Sequence, residues 1–289
     1  MTFAPRTSVL AIALAACALT LSPRAAAGQS RPLVTEDPET VPMGNILLEA
    51  GVDFARGVVY PASGLTGNLW RVGTFGFSFG VSQIAEIQLD GGVRNRLAIT
   101  ARNPGAPLAY MLEVPTTSTN DFEDLSIGAK VRFLSETATR PAMAIRFSTR
   151  LPNAGNESGL GLDTTDFHFG LALAKTVQSI RFVGNFGFGI LPDPVRGDRQ
   201  NDVLDFGASL ARAVRPGVEV VGEINGRLNT RSGVPPTGTE SRGVMRLGSR
   251  FTHGPVRLDG ALLLGITERD PSWGFTGGVT WVFKAFDVN

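Results

Sequence analysis

The sequence predicts an all-β fold: a transmembrane, antiparallel, up-and-down β-barrel of about 12 strands, of the bacterial outer-membrane type. Three observations predict it. From Gly44 to Phe286, runs of about 10 to 13 residues carry an apolar side chain at every second position, the period of a strand with two unlike faces. Tight turns and longer polar loops alternate between the runs, as expected when two rims meet different compartments. Within the runs, charged residues keep to one parity and phenylalanines to the other. A soluble sheet does not leave so Phe-rich a face exposed, so the apolar face is assigned to lipid and the polar face to a lumen.

Composition agrees. The 289 residues are 43% hydrophobic and 18% charged, with 35 glycines and a mean hydropathy of +0.08. That charged fraction is below the roughly 25% usual in soluble proteins. No run of about 18 apolar residues follows the leader, so no transmembrane helix is expected there. Net charge is +1 with both signs mixed, which gives no nucleic-acid footprint. No motif for a cofactor or metal stands out; Glu36, Asp37 and Glu39 lack the spacing of a calcium loop.

Residues 1–27 read as a secretory signal: Arg6 at the charged end, an apolar core from Ser8 to Leu21, and Ala25-Ala26-Ala27 as the cleavage site. Its removal takes away Arg6, Arg24 and the single cysteine, leaving a net charge of −1 and no thiol. Leu14-Ala15-Ala16-Cys17 also has the form of a lipobox, but the apolar run continues past it to Leu21. Either route exports the chain. Residues 28–43 are polar, Pro-rich and aperiodic, and read as an extended periplasmic arm; the sequence does not decide against a course inside the lumen.

Twelve strand segments follow. The first, near 44–56, turns Ile46, Leu48, Ala50, Val52 and Phe54 to lipid; the second, near 68–81, Phe75, Phe77, Phe79 and Val81. The third, near 84–95, turns Ile87, Leu89 and Val93 outward against Glu86, Gln88, Asp90 and Arg94. The fourth, near 122–134, offers Ile127, Val131 and Phe133, and the fifth, near 141–151, Met143, Ile145 and Phe147. The sixth, near 164–176, offers Phe167, Phe169 and Leu171, and the seventh, near 179–191, Phe182, Phe186 and Phe188. The eighth, near 202–214, offers Leu204, Phe206 and Leu210, with Arg212 as a charge on the lipid parity that an interfacial position would tolerate. The ninth, near 217–229, carries Val218, Val220, Ile224 and Leu228; the tenth, near 242–252, Met245, Leu247 and Phe251. The eleventh, near 255–267, carries Leu258, Leu262 and Leu264, and the twelfth, near 273–286, Trp273, Phe275, Trp281 and Phe283. Short connections fall at 81–83, 135–140, 177–179, 214–217 and 253–255, and longer ones at 57–67, 96–121, 152–163, 192–201 and 230–241. An even strand count returns both termini to the periplasm.

The candidate functional residues are the charges of the lumenal parity. Glu49, Asp53, Glu86 and Asp90 come from the first and third segments, and Lys130, Arg132, Arg146, Arg150 and Arg181 from the fourth, fifth and seventh. Asp205, Glu219 and Glu223 come from the eighth and ninth. A basic wall facing acidic walls would set up a transverse field that orients solutes. The same groups would also pair across adjacent strands and fill a narrow lumen; both outcomes are open. His168, the single strand histidine, shares its parity with Ser148 and Ser209 and has Asp166 nearby, but no Gly-x-Ser-x-Gly elbow accompanies it.

Several segments resemble one known family, the outer-membrane barrels named for the meta-cleavage pathway of phenol degradation. Arg31-Pro32-Leu33-Val34-Thr35-Glu36-Asp37-Pro38, with Gly44 and Leu48-Glu49, is similar to its N-terminal pattern, and Glu123-Asp124-Leu125-Ser126-Ile127-Gly128-Ala129-Lys130 to one of its strands. Leu151-Pro152 and Asn185-Phe186-Gly187-Phe188-Gly189 resemble its middle hairpins, with a departure at Asn153-Ala154-Gly155. The resemblance implies an outer-membrane transporter taking up aromatic or hydrophobic compounds, and names no catalytic residue.

The expected function is therefore passive uptake of small, aromatic or hydrophobic solutes by a monomeric barrel that performs no chemistry. The alternatives are a structural barrel with a closed lumen and an outer-membrane lipid hydrolase. The expected partners are outer-membrane lipid, the solute, and the barrel-insertion machinery, which would read the terminal strand through Phe283 and Phe286. Asp287-Val288-Asn289 depart from an aromatic terminus.

Overall fold

The computed structural model describes residues 30–286; the leader, Cys17 and the last three residues lie outside them. Thirteen strands follow in order: β1 Asn45–Tyr60, β2 Leu65–Gly80, β3 Ala85–Arg102, β4 Ser118–Asp121, β5 Leu125–Leu134, β6 Ala142–Leu151, β7 Asp166–Val177, β8 Ile180–Pro192, β9 Gln200–Arg215, β10 Val218–Asn229, β11 Arg242–His253, β12 Val256–Gly265 and β13 Trp273–Lys284. Twelve of them build the barrel. The short β4 pairs only with the far part of β3, while the near part of β3 pairs with β5. Every barrel strand is antiparallel to its neighbour in the chain, and β13 closes on β1 over twelve residue pairs from Asn45↔Lys284 to Arg56↔Trp273. Closure leaves no unpaired edge, as lipid requires.

The side chains are distributed inside out. Phe147, Phe169 and Leu262 stand 52%, 44% and 65% exposed on the outer face, whereas Lys130 is fully buried and Glu86, Gln88, Asp166, Glu223 and Thr280 are buried with it. Lysine and glutamate are almost never buried in water-soluble folds unless paired. The arrangement suits a fold whose outer solvent is hydrocarbon. Outward rings pack across neighbouring strands, as in Phe147 with Phe169 at 4.8 Å. Phe54, Trp70, Trp273 and Phe275 cluster towards one rim, and Trp281 and Phe283 pair towards the other, the positions of two aromatic girdles. Arg212 lies opposite Ile180, the first residue of β8, and so sits at the rim. Phe169→Arg is expected to destabilise the barrel by about 2–4 kcal/mol. Urea titration of the protein folded into lipid vesicles checks this, and an unchanged midpoint would remove Phe169 from the lipid face.

The expected faces fail in one region, for an identifiable reason. β1, β2 and β3 run to 16, 16 and 18 residues, against 10 for β5, β6 and β12. The long loop expected at 57–67 is instead a short turn at 61–64. Gly57 and Gly73 adopt φ of 72° and 70° where the β1–β2 register slips. A bulge adds one residue to one strand, so every later side chain changes face. Val58, Leu65 and Leu69 consequently point inward and, with Leu97 of β3, form a buried cluster, joined by Tyr60, Ile99 and the loop residues Leu112 and Leu160. Arg94, expected in the lumen, is exposed and donates to Asn120.

Candidate functional site: the lumen and the segment inside it

Residues 30–43, the expected periplasmic arm, run inside the barrel. Pro32, Pro38 and Pro42 keep this segment out of the ladder, so its backbone polar groups need other partners. The wall supplies them. Glu223 accepts the N–H groups of Val34 and Thr35 at 2.8 and 2.5 Å. Asn185 accepts the Glu36 N–H at 2.6 Å and donates to the Glu36 carbonyl at 2.8 Å. Glu86 accepts the Val41 N–H at 2.6 Å, and Glu49 the Arg31 N–H at 3.3 Å. Arg250 donates to the Ser30 and Arg31 carbonyls at 2.7 and 2.8 Å, and Lys130 to the Asp37 carbonyl at 2.9 Å.

The side chains of the segment complement the walls. Arg31 lies 3.6 Å from Asp259 and 4.0 Å from Asp53, on the acidic side. At the other end, Glu36 meets Lys130 at 3.3 Å and Arg146 at 3.5 Å, Asp37 receives the Arg181 guanidinium at 2.6 Å, and Glu39 pairs with Arg132. The segment is therefore a strut with a cation at one end and three carboxylates at the other, set against the opposite charges of the wall.

The remaining expected residues pair along the wall. Lys130 and Glu86 are 3.0 Å apart, Arg146 reaches Asp90 at 3.7 Å, and Arg250 reaches Glu219 at 3.7 Å. Arg150 pairs with Asp124 at 3.3 Å and with Asp166. His168 Nδ1 lies 2.7 Å from Asp205, so its partner is not Asp166, which Arg150 holds. Ser148 faces His168 across β6 and β7, but its hydroxyl is engaged by Arg146 at 3.0 Å. Among the described residues no serine is hydrogen-bonded to His168, so the nucleophile–base arrangement is not assembled. Three further lumenal residues lie on the parity already read: Asn185, Arg246 (2.8 Å from Glu223) and Asp259. Their engagement with a separate segment left no periodic signal.

At the rim of the short turns, Glu136 takes the Thr176 N–H at 2.7 Å and the Arg181 guanidinium at 3.1 Å. Burial pushes its carboxyl up, but these donors outweigh that and hold it below the usual range.

Known structures can be set beside this geometry. An outer-membrane channel from Pseudomonas putida F1 superimposes with a TM-score of 0.59 over 86% of this chain and 98% of that one, at 14% identity. The fold is that of an outer-membrane barrel. The NanC porin gives a TM-score of 0.48 at 8% identity, over 82% of this chain and 98% of its own. The translocator domain of the autotransporter NalP from Neisseria meningitidis gives 0.47 at 11% identity, over 96% of each chain. No protein-family model and no curated protein sequence matches this barrel. The resemblance to the phenol-pathway family therefore rests on the motifs quoted above.

Proposed function

We propose that this protein is a passive outer-membrane channel for small solutes, narrowed by its own residues 30–43. One observation carries the proposal. The lumen is lined by charge and occupied by a segment held through hydrogen bonds and ion pairs to hydrophilic walls, contacts that water can replace when the segment leaves. Both termini lie on the periplasmic side and the longer loops face outward, the ordinary orientation of such barrels. The barrel acts as a monomer, since closure satisfies its strands without a partner, and it takes up small aromatic or hydrophobic molecules, as the motif resemblance implies. Glu49, Asp53, Glu86, Asp90, Lys130, Arg132, Arg146, Arg150, Arg181, Glu219 and Glu223 would line the path once the segment moves, with His168 and Asp205 further along it. Permeation breaks no bond.

The test is single-channel recording of the refolded mature chain in a planar bilayer. Discrete ohmic steps are the expected result; silent membranes from correctly folded protein would leave a structural barrel. Replacing Arg146 and Arg150 with glutamine removes two lumenal cations. The reversal potential under a KCl gradient is expected to shift towards cation selectivity, and an unchanged potential would place both side chains off the conduction path.

A further inference from the structure

A strand crosses the hydrocarbon of a membrane in about 9–11 residues, and β3 has 18. Its first half, as far as Val93, turns Ile87, Leu89 and Val93 to lipid. Its second half turns arginine to the same outer side. Arg94 and Arg96 lie opposite Val72 and Trp70 of β2, which are outward and exposed, and directly opposed residues share a face. Strict alternation from Glu86 would send both arginines into the lumen; the change of face beside Gly73 delivers them to the outside. Trp70 belongs to the aromatic cluster at the long-loop rim, the level at which headgroups replace hydrocarbon. Both arginines are exposed there. Arg56 of β1, opposite Trp273, adds a third outward cation. Around the rest of this rim the outer face carries Phe167, Ile190, Leu228 and Trp273, with Asp202 as its charge. The outward cations of this rim therefore gather on the overlong strands β1 and β3.

An open groove of about 600 Å³ lies against this pair. Arg94, Arg96, Ser118 and Asn120 line it from β3 and β4, and Glu113 and Glu157 from the loops. Arg94 donates to Asn120 at 2.9 Å, which leaves it further N–H donors, and Arg96 has no side-chain partner among the described residues. Two neighbouring guanidinium groups take a phosphate through their N–H forks. The two carboxylates repel a second phosphate in the groove but accept hydrogen bonds from hydroxyl groups, which Ser118 and Asn120 also serve. Towards the membrane, Val72 and Val93 stand 48% and 57% exposed, an apolar surface for acyl chains. A phosphorylated sugar carried on acyl chains meets all three requirements. We propose that Arg94 and Arg96, with the groove bounded by Glu113 and Glu157, bind the phosphosugar headgroup of an outer-leaflet glycolipid of the lipid A type. Basic pockets at the membrane interface recognise lipid headgroups in this manner. The site rests on the proposed orientation, long loops outward, and is independent of conduction.

Native mass spectrometry of the folded mature protein in detergent tests the site by counting retained lipid. The probes are lipid A, dephosphorylated lipid A and phosphatidylglycerol. Lipid A is expected to bind at least about tenfold more tightly than either of the others, because one lacks the phosphate and the other the sugar. The Arg94→Gln, Arg96→Gln double variant is expected to lose at least about tenfold in lipid A affinity. Arg196→Gln with Arg199→Gln, in the exposed loop between β8 and β9, removes the same charge elsewhere and should leave binding unchanged. Equal retention of the three lipids, undiminished binding by the folded first variant, or an equal loss in the second would overturn the site. The three-lipid comparison uses the native chain and so decides the matter even if a variant does not fold. A protease site inserted in the loop 103–117 should be cut in intact cells; protection would turn the groove away from the outer leaflet and overturn the proposal. Bilayer recording separates this site from the channel. Lipid A selectivity in a barrel that passes no current keeps the site and removes the channel, whereas a conducting barrel without that selectivity does the reverse.

Discussion

Deleting residues 30–43 will raise the single-channel conductance of the refolded barrel several-fold. The segment crosses the lumen from the acidic side at Asp53 and Asp259 to the basic side at Lys130, Arg146 and Arg181. Its removal opens that cross-section and releases four charges that now neutralise the walls. Water can solvate the freed wall groups, so the barrel itself should persist, as its gel mobility before and after heating would show. A milder form needs no deletion. The Debye length shrinks from about 10 Å at 0.1 M salt to about 3 Å at 1 M, so the open fraction of the intact channel should rise with salt. Equal conductance of the intact and shortened chains would mean that ions bypass the segment.

Lys130→Met will have the largest effect on stability of any lumenal substitution. Lys130 is fully buried, 3.0 Å from Glu86 and 3.3 Å from Glu36. Methionine fills the space but leaves the buried Glu86 carboxylate without its cation, a loss of about 3–5 kcal/mol when one partner of a buried pair is removed. Glu86 also accepts the Val41 N–H, so the entry of the segment into the lumen should loosen at the same time. The urea midpoint in lipid vesicles reads the first effect and protease cleavage within residues 30–43 the second. Adding Glu86→Gln should recover part of the loss, since the two residues share one interaction. A single variant as stable as the parent would mean that water reaches the pair.

The sequence disclosed the barrel because lipid imposes a strict rule on each strand. Phe147, Phe167, Phe169, Phe186 and Phe188 stand outward as alternation requires, and Lys130, Arg146 and Glu223 stand inward. Alternation also hides what interrupts it. Gly57 and Gly73 each reverse the faces beyond them, and a parity carried through these points overlooks Val58 and Leu69 in the lumen; on β3 the same strict parity places Arg94 inward, where the strand instead exposes Arg94 and buries Leu97. The segment at 30–43 was opaque for another reason. Its partners on the wall are 18 to 246 residues away, and an aperiodic Pro-rich stretch carries no mark of what satisfies its backbone. Charge complementarity was the available signal: one arginine followed by three acids, facing walls of opposite sign. The outward stand of Arg94 and Arg96 needed the register of β3 on β2, which neither parity nor composition supplies.

The placement of the internal segment directly before β1 also constrains how the molecule is assembled. β1 meets β13 at the seam, so the ring is complete only when the last strand to be synthesised has joined the first. Arg31 contacts both sides of that seam, through Thr74 and Asp53 on one side and Thr276 and Gly277 on the other. Its binding surface therefore does not exist until the ring shuts. The segment is enclosed by the event that creates its docking surface, and the nascent open sheet, still reachable by chaperones, presents those residues unbound.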